Sequence, residues 1–390
     1  MKILIVGTDL NSVLLAKYIY LQNNSHDIYI TSGETGKSDF YTNINIKDND
    51  INSLMEFVKY NAIEFTIVLS QLAIINEIAN AFKQEGFPVF APFADSARIT
   101  FFNSIAKKIM YKLKIPTPKF GIFDRENIAL DYARSSKFPI VLENDFTLTE
   151  RISDKYNYFS KAKEGIQRIF ENDNEKIVIE SYIDEEPLYL YFITDGYNAL
   201  PLISVERLSG ENYTSAVAPT QKIEKNIVVN ILKRAIYPII DDIAKFSDGY
   251  TGIIGMKLKI SNGNFYILEF YNGFQFYDFQ AFLSVLNENL LDLLYSCANG
   301  SLADDYSHVD LKDEFSYTLA IAKKDIKNLE IINADGEFFE SEDEFKKIYT
   351  ATALTINYAK NKIFESVENN IDSELYNRIT KTDKKKEAAL

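Results

Sequence analysis

Apolar and polar positions alternate with a regular rhythm along the first third of the chain. Residues 2–7 (KILIVG) read as a buried-type strand around the apolar run ILIV, and residues 11–21 then carry apolar side chains at helical spacing. The alternation repeats. DIYIT reads as a strand, residues 33–37 as a loop, residues 55–60 as a helix, and residues 65–70 (FTIVLS) as a second buried strand. Residues 74–85 predict a helix stopped by Gly86, and PVFAP a short strand. Strand–helix–strand repetition of this kind predicts a parallel sheet covered by helices. A helix over 99–113, followed by the punctuation IPTP at 115–118, predicts a domain boundary near residue 116.

Beyond that point the pattern changes. Residues 138–142 predict a strand and 161–172 a helix. KIVIESYI and YLYFITDG predict two strands, the second ending in an Asp195-Gly196 turn. Residues 228–246 predict one long helix. TGIIGMKLKI and FYILEFY, joined by a turn at 261–264, predict a hairpin, and 281–297 a further helix. From residue 315 the alternation returns, which predicts a small β-rich cap before a polar tail. The expected fold class is α/β. A parallel-sheet N-terminal domain covers 1–116. An α+β domain covers 117–310, with a small subdomain at about 117–195. The cap and tail take 311–390.

Composition narrows the chemistry. A chain of 390 residues with 46% hydrophobic residues is long enough for several cores. The formal net charge of -14 repels phosphate backbones, so neither a nucleic acid nor an anionic membrane is an expected partner. The basic pairs and runs, Lys107–Lys108 and Lys384–Lys386, are short. One cysteine, Cys297, excludes an intrachain disulfide, and with only His26 and His308 a Cys/His zinc site is excluded too. No apolar stretch reaches bilayer length and the N-terminus reads as a strand, so the cytoplasm is the expected location. GTDLNS after the first strand lacks the later glycines of a dinucleotide fingerprint.

Four stretches, in order, resemble the phosphoribosylamine–glycine ligase family of ATP-grasp enzymes, which makes glycinamide ribonucleotide in purine synthesis. They are MKILIVGTD, then APFADSARITFFNSIAKKIMYKLKIPTPKF, then FPIVLENDF with IVIESYIDEEPLYLYFITDG, and last YTGIIGMKLKISNGNFYILEFYNGFQFYDFQ. The resemblance spans most of residues 1–300 and implies a pre-ATP-grasp domain, an ATP-grasp domain and a C-terminal cap. It also implies ATP and Mg2+ as cofactors. By position, the nucleotide would meet Lys107, Glu143, Arg151, the hinge Glu180, Ser181, Tyr182 and Ile183, and Glu186. The metal would meet Glu269 and Asn272, and Arg151 is the one catalytic candidate.

The residues depart from the family pattern where phosphate is handled. A Ser-Lys pair before the linker helix is replaced by Phe102 and Asn103. Lys107 keeps its place, although a lysine on a helix is ordinarily solvated. Glu143 stands where a phosphate-binding lysine belongs, and TLTERIS (147–153) replaces a glycine-rich loop. Exchanging a cation for a carboxylate turns attraction into repulsion, with each unit-charge interaction worth about 4 kcal/mol at 4 Å near a surface. Arg151 matches the lysine of the flexible loop and could restore one positive charge. Pro187 falls on the ribose-binding acid, with Glu186 one place earlier, and SGENYTSAVAPTQ (209–221) is a glycine-poor substrate loop. Tyr271 replaces the second magnesium ligand; Asn272 beside it points to the other face of a regular strand. A downstream Gly-Asp-Pro-Glu becomes Phe276-Tyr277-Asp278.

Three functions compete. The first is a family member with lost or altered catalysis that binds a small ligand, such as a nucleotide, or a protein partner. The second is a working ligase that uses Arg151, Lys107 and Glu269. The third is a scaffold that presents the aromatic segment 271–279 as an exposed surface.

Overall fold

The computed structural model describes residues 1–31, 36–148, 151–171, 176–210, 213–322, 345–368, 371 and 373–387. Among them, no helix is long and apolar enough to cross a membrane.

The first sheet contains β1 (Lys2–Val6), β2 (Asp27–Thr31), β3 (Gly36–Lys37), β4 (Thr42–Ile44), β5 (Phe65–Val68) and β6 (Val89–Phe90). Its order is β3-β4-β2-β1-β5-β6, parallel except at β3–β4. The continuous apolar runs of β1 and β5 follow from burial on both faces: Ile3 and Ile5 pack on one side, Leu4 and Val6 on the other. The helix Leu10–Gln22 starts where the Asp9 carboxylate accepts from Ser12 N.

A four-stranded antiparallel sheet follows, β7 (Phe120–Phe123), β8 (Ile140–Asn144), β9 (Ser153–Tyr156) and β10 (Ile177–Ser181), in the order β7-β10-β8-β9. The helices Glu126–Ser135 and Phe159–Glu171 cover one face. The third sheet has seven strands: β11 (Leu188–Asp195), β12 (Ala199–Ser209), β13 (Tyr213–Ala218), β14 (Thr251–Ser261), β15 (Asn264–Asn272), β16 (Phe315–Ala322) and β17 (Phe345–Ala353). Its order is β15-β14-β11-β12-β13-β16-β17. One face packs on the helix Phe276–Val285 and toward the first sheet; the other packs on the helical run through residues 225–243. The α/β class with a parallel first sheet and antiparallel later sheets is as expected.

Five expectations change. The helix predicted over 281–297 is two, Phe276–Val285 and Leu290–Ala298, broken at the extended Leu286. The helix predicted over 74–85 is two helices, Gln71–Ile75 and Ile78–Gln84, broken at Glu77 in the left-handed region (φ 65°). The helix over 99–113 breaks at Phe102, whose extended backbone bridges Phe146. The glycine-poor stretch 209–221 contributes β13, with Glu211 and Asn212 outside the described residues. The polar tail is helical over Ser373–Glu387, and β16 joins the large sheet through β13. Residues 323–344 of the expected cap lie outside the described residues.

Candidate active-site cleft

Strand alternation aims charged side chains at one gap. In β8 and β10 the residues Ile140, Leu142, Ile177 and Ile179 pack on the covering helices, so Glu143 and Glu180 project from the opposite face. The register sets Glu143 against Val178 and Glu180 against Val141, which places the two carboxylates diagonally on that face. In the large sheet, β14 pairs Lys257 with Glu269, and Tyr189 faces Lys257 from β11. Next to that pair the register shifts: Leu258 pairs with Ile267, leaving Leu268 as a bulge.

These side chains satisfy one another. Lys107 is fully buried, forms a contact ion pair with Glu180, and donates to Leu268 O at 2.7 Å and Thr117 Oγ1 at 3.1 Å. Glu269, 1% exposed, accepts from Lys257 Nζ at 2.8 Å, from the Tyr271 hydroxyl at 3.3 Å and from Arg151 in a contact ion pair. Arg151 also donates to Thr147 Oγ1 at 3.2 Å and lies 4.5 Å over the Tyr271 ring. Glu143 accepts from Ser153 Oγ at 3.1 Å, and its second oxygen is buried with no hydrogen-bond partner.

The three carboxyls titrate differently because their surroundings differ. Burial, reinforced by the charges of Glu180 and Glu269, pushes Glu143 up from its usual 4.5 to about 8. Burial also raises Glu180 against the pull of Lys107. For Glu269 burial acts in the same upward direction, but Lys257 and Arg151 outweigh it and bring the group down to about 2. Burial alone would lower Lys257; the Glu269 charge raises it instead. At neutral pH the cleft therefore holds a neutral Glu143 among paired charges.

The hinge is tied down as well. Ser181 N donates to Lys119 O at 2.9 Å and Tyr182 N to Pro139 O at 3.3 Å. The Ile183 carbonyl, a backbone acceptor of the kind that would read a base, accepts Lys259 Nζ at 2.7 Å. The Tyr182 ring sits between Lys155 Nζ at 3.7 Å and Lys259 Nζ at 4.4 Å. Farther along the large sheet, buried Asp278 accepts from the Tyr191 hydroxyl at 2.5 Å and from Arg207 Nε at 2.7 Å.

The structure brings Lys107, Glu143, Arg151, Glu180 and Glu269 together, with Ser181, Tyr182 and Ile183 beside them. Several expectations are corrected. Lys107 is not a solvated helix lysine but the most buried cation of the cleft. Arg151 is turned onto Glu269. Glu186 is exposed on the connection after the hinge. Asn272 points away from Glu269, accepts the Tyr250 hydroxyl at 2.7 Å and lines a different pocket. The aromatic segment is largely interior: Tyr271 and Phe274 are buried and Tyr277 packs partly buried on the same core. That buries most of the surface a scaffold would present. The Phe276 side chain, and Thr149 and Glu150 of the replaced loop, lie outside the described residues. Sequence reading missed Lys257 and Lys259. Their signal was present: in MKLKI two lysines, two places apart, interrupt one face of an apolar strand.

The implied cofactors do not fit this arrangement. Magnesium needs free carboxylate or amide oxygens. Glu269 already bonds two cations, a phenol stands beside it, and among the described residues no group of three His, Cys, Asp or Glu could hold a metal. A triphosphate would meet Glu143 and Glu180; Lys107, Arg151 and Lys257 are already paired with carboxylates, and Lys259 donates to the Ile183 carbonyl.

Comparison with known proteins agrees on ancestry. The model for phosphoribosylglycinamide synthetase, N domain, matches residues 1–100, and that for the ATP-grasp (A) domain matches residues 103–279. The chain is 25% identical over 316 residues to phosphoribosylamine–glycine ligase of Caldanaerobacter subterraneus, covering 77% of this chain and 76% of that protein. It is 26% identical over 337 residues to the Haemophilus influenzae protein of the same name, covering 82% and 79%. The crystal structure of Thermotoga maritima phosphoribosylamine–glycine ligase superposes with a TM-score of 0.77 at 16% identity, covering 94% of this chain and 96% of that one. A biotin carboxylase domain from Hydrogenobacter thermophilus, solved with MgADP, shares the fold with a TM-score of 0.68 at 14% identity, covering 95% and 90%. With both domain models matched in order and the fold shared along its length, the chain belongs to the phosphoribosylamine–glycine ligase family of ATP-grasp proteins.

Proposed function

We propose that this family member no longer carries out ATP-dependent ligation, and that its former nucleotide cleft ties the small and large sheets together. One observation carries the reading: the Glu269 carboxylate, the one family metal ligand kept in sequence, is held by Lys257 and Arg151 of the same chain. Three further observations support it. Glu143 replaces a phosphate-binding cation and is neutral at pH 7. Lys107 is committed to Glu180. Lys259 occupies the Ile183 carbonyl at the hinge. To bind magnesium nucleotide, the protein would have to break these buried pairs without a compensating glycine-rich cradle. Separating a buried pair leaves an uncompensated charge and costs about 3–5 kcal/mol.

A second reading, a working ligase, is favoured by one feature. Arg151 and Lys257 stand at the edge of the cleft, 26% and 20% exposed, so a nucleotide could draw them outward from Glu269. The two readings separate in a turnover assay. Purified protein given 5-phosphoribosylamine, glycine and MgATP is expected to release no phosphate above the glycine-free rate. Glycine-dependent release that disappears in Glu269→Gln would establish the working ligase instead.

A further inference from the structure

The small sheet carries a recess on the face turned away from the cleft. Strand alternation sends Ile140 and Ile179 toward the covering helices. Lys119 and Ser181 share that face, because β7 and β10 extend their pairing through Ser181 N, which donates to Lys119 O at 2.9 Å. Glu180 precedes Ser181, but its carboxylate projects to the other face, onto Lys107. Where these strand ends meet the last turn of the helix Glu126–Ser135, a cavity of about 300 Å³ opens. At roughly 10–15 Å³ for each water-sized group, it holds on the order of twenty such groups, more than a bare inorganic anion fills.

The unpaired groups of this recess are donors. Lys119 and Lys137 line it, and among the described residues neither ammonium has an ion-pair or hydrogen-bond partner. The Tyr132 hydroxyl, on the same wall, has no hydrogen-bond partner among them either. The last turn of a helix ordinarily presents bare carbonyls, whose partial negative charge repels anions. Here the Ser135 and Ser136 hydroxyls both donate to the Tyr132 carbonyl, at 2.9 and 2.8 Å, so the wall presents hydroxyl groups instead. Carboxylates stay out of the way. Glu180 is the one acidic residue of the lining, and its side chain is held by Lys107 on the other face. Asp131, one turn earlier on the helix, is paired with Arg134. In a chain of net charge -14, two unpaired lysines lining one recess are a local exception.

We infer that this recess binds a compact phosphate monoester with a hydroxylated body. The dianionic phosphate takes the Lys119 and Lys137 ammonium groups, each a point charge suited to phosphate. The hydroxyls of the body meet Ser135, Ser136 and Ser181, beside the apolar Ile140 and Ile179. Two cations are matched by two negative charges on one group, which a monocarboxylate does not supply. The recess and the ion-paired cleft lie on opposite faces of the small sheet. Binding of MgATP in the cleft would therefore overturn the proposed function without touching this inference.

Glycerol 2-phosphate is the probe, titrated into the full chain at neutral pH and followed by phosphorus NMR. The expected result is saturable single-site binding that neither glycerol nor succinate displaces. Lys119→Gln and Lys137→Gln each remove one charge-assisted contact and are expected to weaken binding about tenfold, and the double substitution to abolish it. Both lysines are exposed, and circular dichroism reports whether the variants fold. A measurement on the wild-type chain stands beside them: affinity is expected to fall as pH drops below about 6, where the phosphate loses its second charge. No saturable binding, single variants that bind as well as wild type, affinity unchanged through that pH range, or displacement by succinate would overturn the assignment. Tighter binding of a capped phosphoserine peptide than of glycerol 2-phosphate would overturn it too, in favour of a phosphorylated protein segment.

Discussion

The cleft between the two antiparallel sheets and the crevice over the parallel sheet both carry polar groups, and they treat them in opposite ways. In the cleft Lys107, Lys257 and Arg151 meet Glu180 and Glu269, and Glu143 escapes repulsion by keeping its proton. In the crevice Asp9 is exposed and accepts from Ser12, while the Asn11 Oδ1 atom is buried with no hydrogen-bond partner. Self-pairing lowers the energy of a site that holds nothing; an unpaired acceptor raises it until something binds. Under the proposed function, the cleft is a structural joint that the chain completes with its own side chains.

The largest effect should come from breaking the joint at its most buried cation. Lys107→Ala leaves Glu180 buried without its partner and is expected to lower unfolding free energy by about 3–5 kcal/mol, measured by urea denaturation at pH 7. A loss below about 1 kcal/mol would mean that the pair is not the tie described here. The next effect depends on pH. Glu143 is raised from 4.5 to about 8, so the folded chain holds a proton that the unfolded chain releases earlier. Its contribution is complete below pH 4.5 and declines as pH rises to about 8, by an amount on the order of a few kcal/mol. Glu143→Gln should remove that alkaline decline and gain stability relative to wild type at pH 8. Glu269, lowered from 4.5 to about 2, works in the opposite sense: its contribution is present above pH 4.5 and is lost as pH falls toward 2. Lys257→Met should therefore lower stability at neutral pH and flatten the acid decline, because Glu269, held by one cation instead of two, no longer stays as far below its unfolded value. The smallest effect is expected away from both sites. The exposed pair Arg134–Asp131 should contribute at most about 1 kcal/mol, and Arg134→Ala calibrates the others.

Much of the fold was legible because single strands carried their own signal. The runs KILIVG and FTIVLS are apolar on both faces, and the β14–β15 hairpin is two apolar strands around a Ser-Asn-Gly-Asn turn. What failed was continuity. Phe102 reads as part of a helix by local spacing, but its backbone is recruited to pair with Phe146, a contact across some forty positions that periodicity cannot carry. Likewise YTSAVA is too short and small-sided to stand out, and becomes a strand because β12 and β16 flank it. In the candidate site, the losses at Glu143 and Tyr271 were visible one by one. Arg151 was legible as a replacement cation, but that it and Lys257 would pair with Glu269, and Lys259 with the Ile183 carbonyl, was not, because pairing across two sheets depends on which faces meet. The same limit explains why Lys107 read as solvated: its spacing on the helix is ordinary, and only the packing of β10 and β15 against that helix buries it.

The central claim is that the chain's own cations occupy Glu269 and the cleft around it. Isothermal titration calorimetry with MgATP and the full chain tests it most directly. The account predicts no binding heat at concentrations where a working ATP-grasp site saturates. A micromolar isotherm for the wild-type chain that vanishes in Glu269→Gln would contradict it.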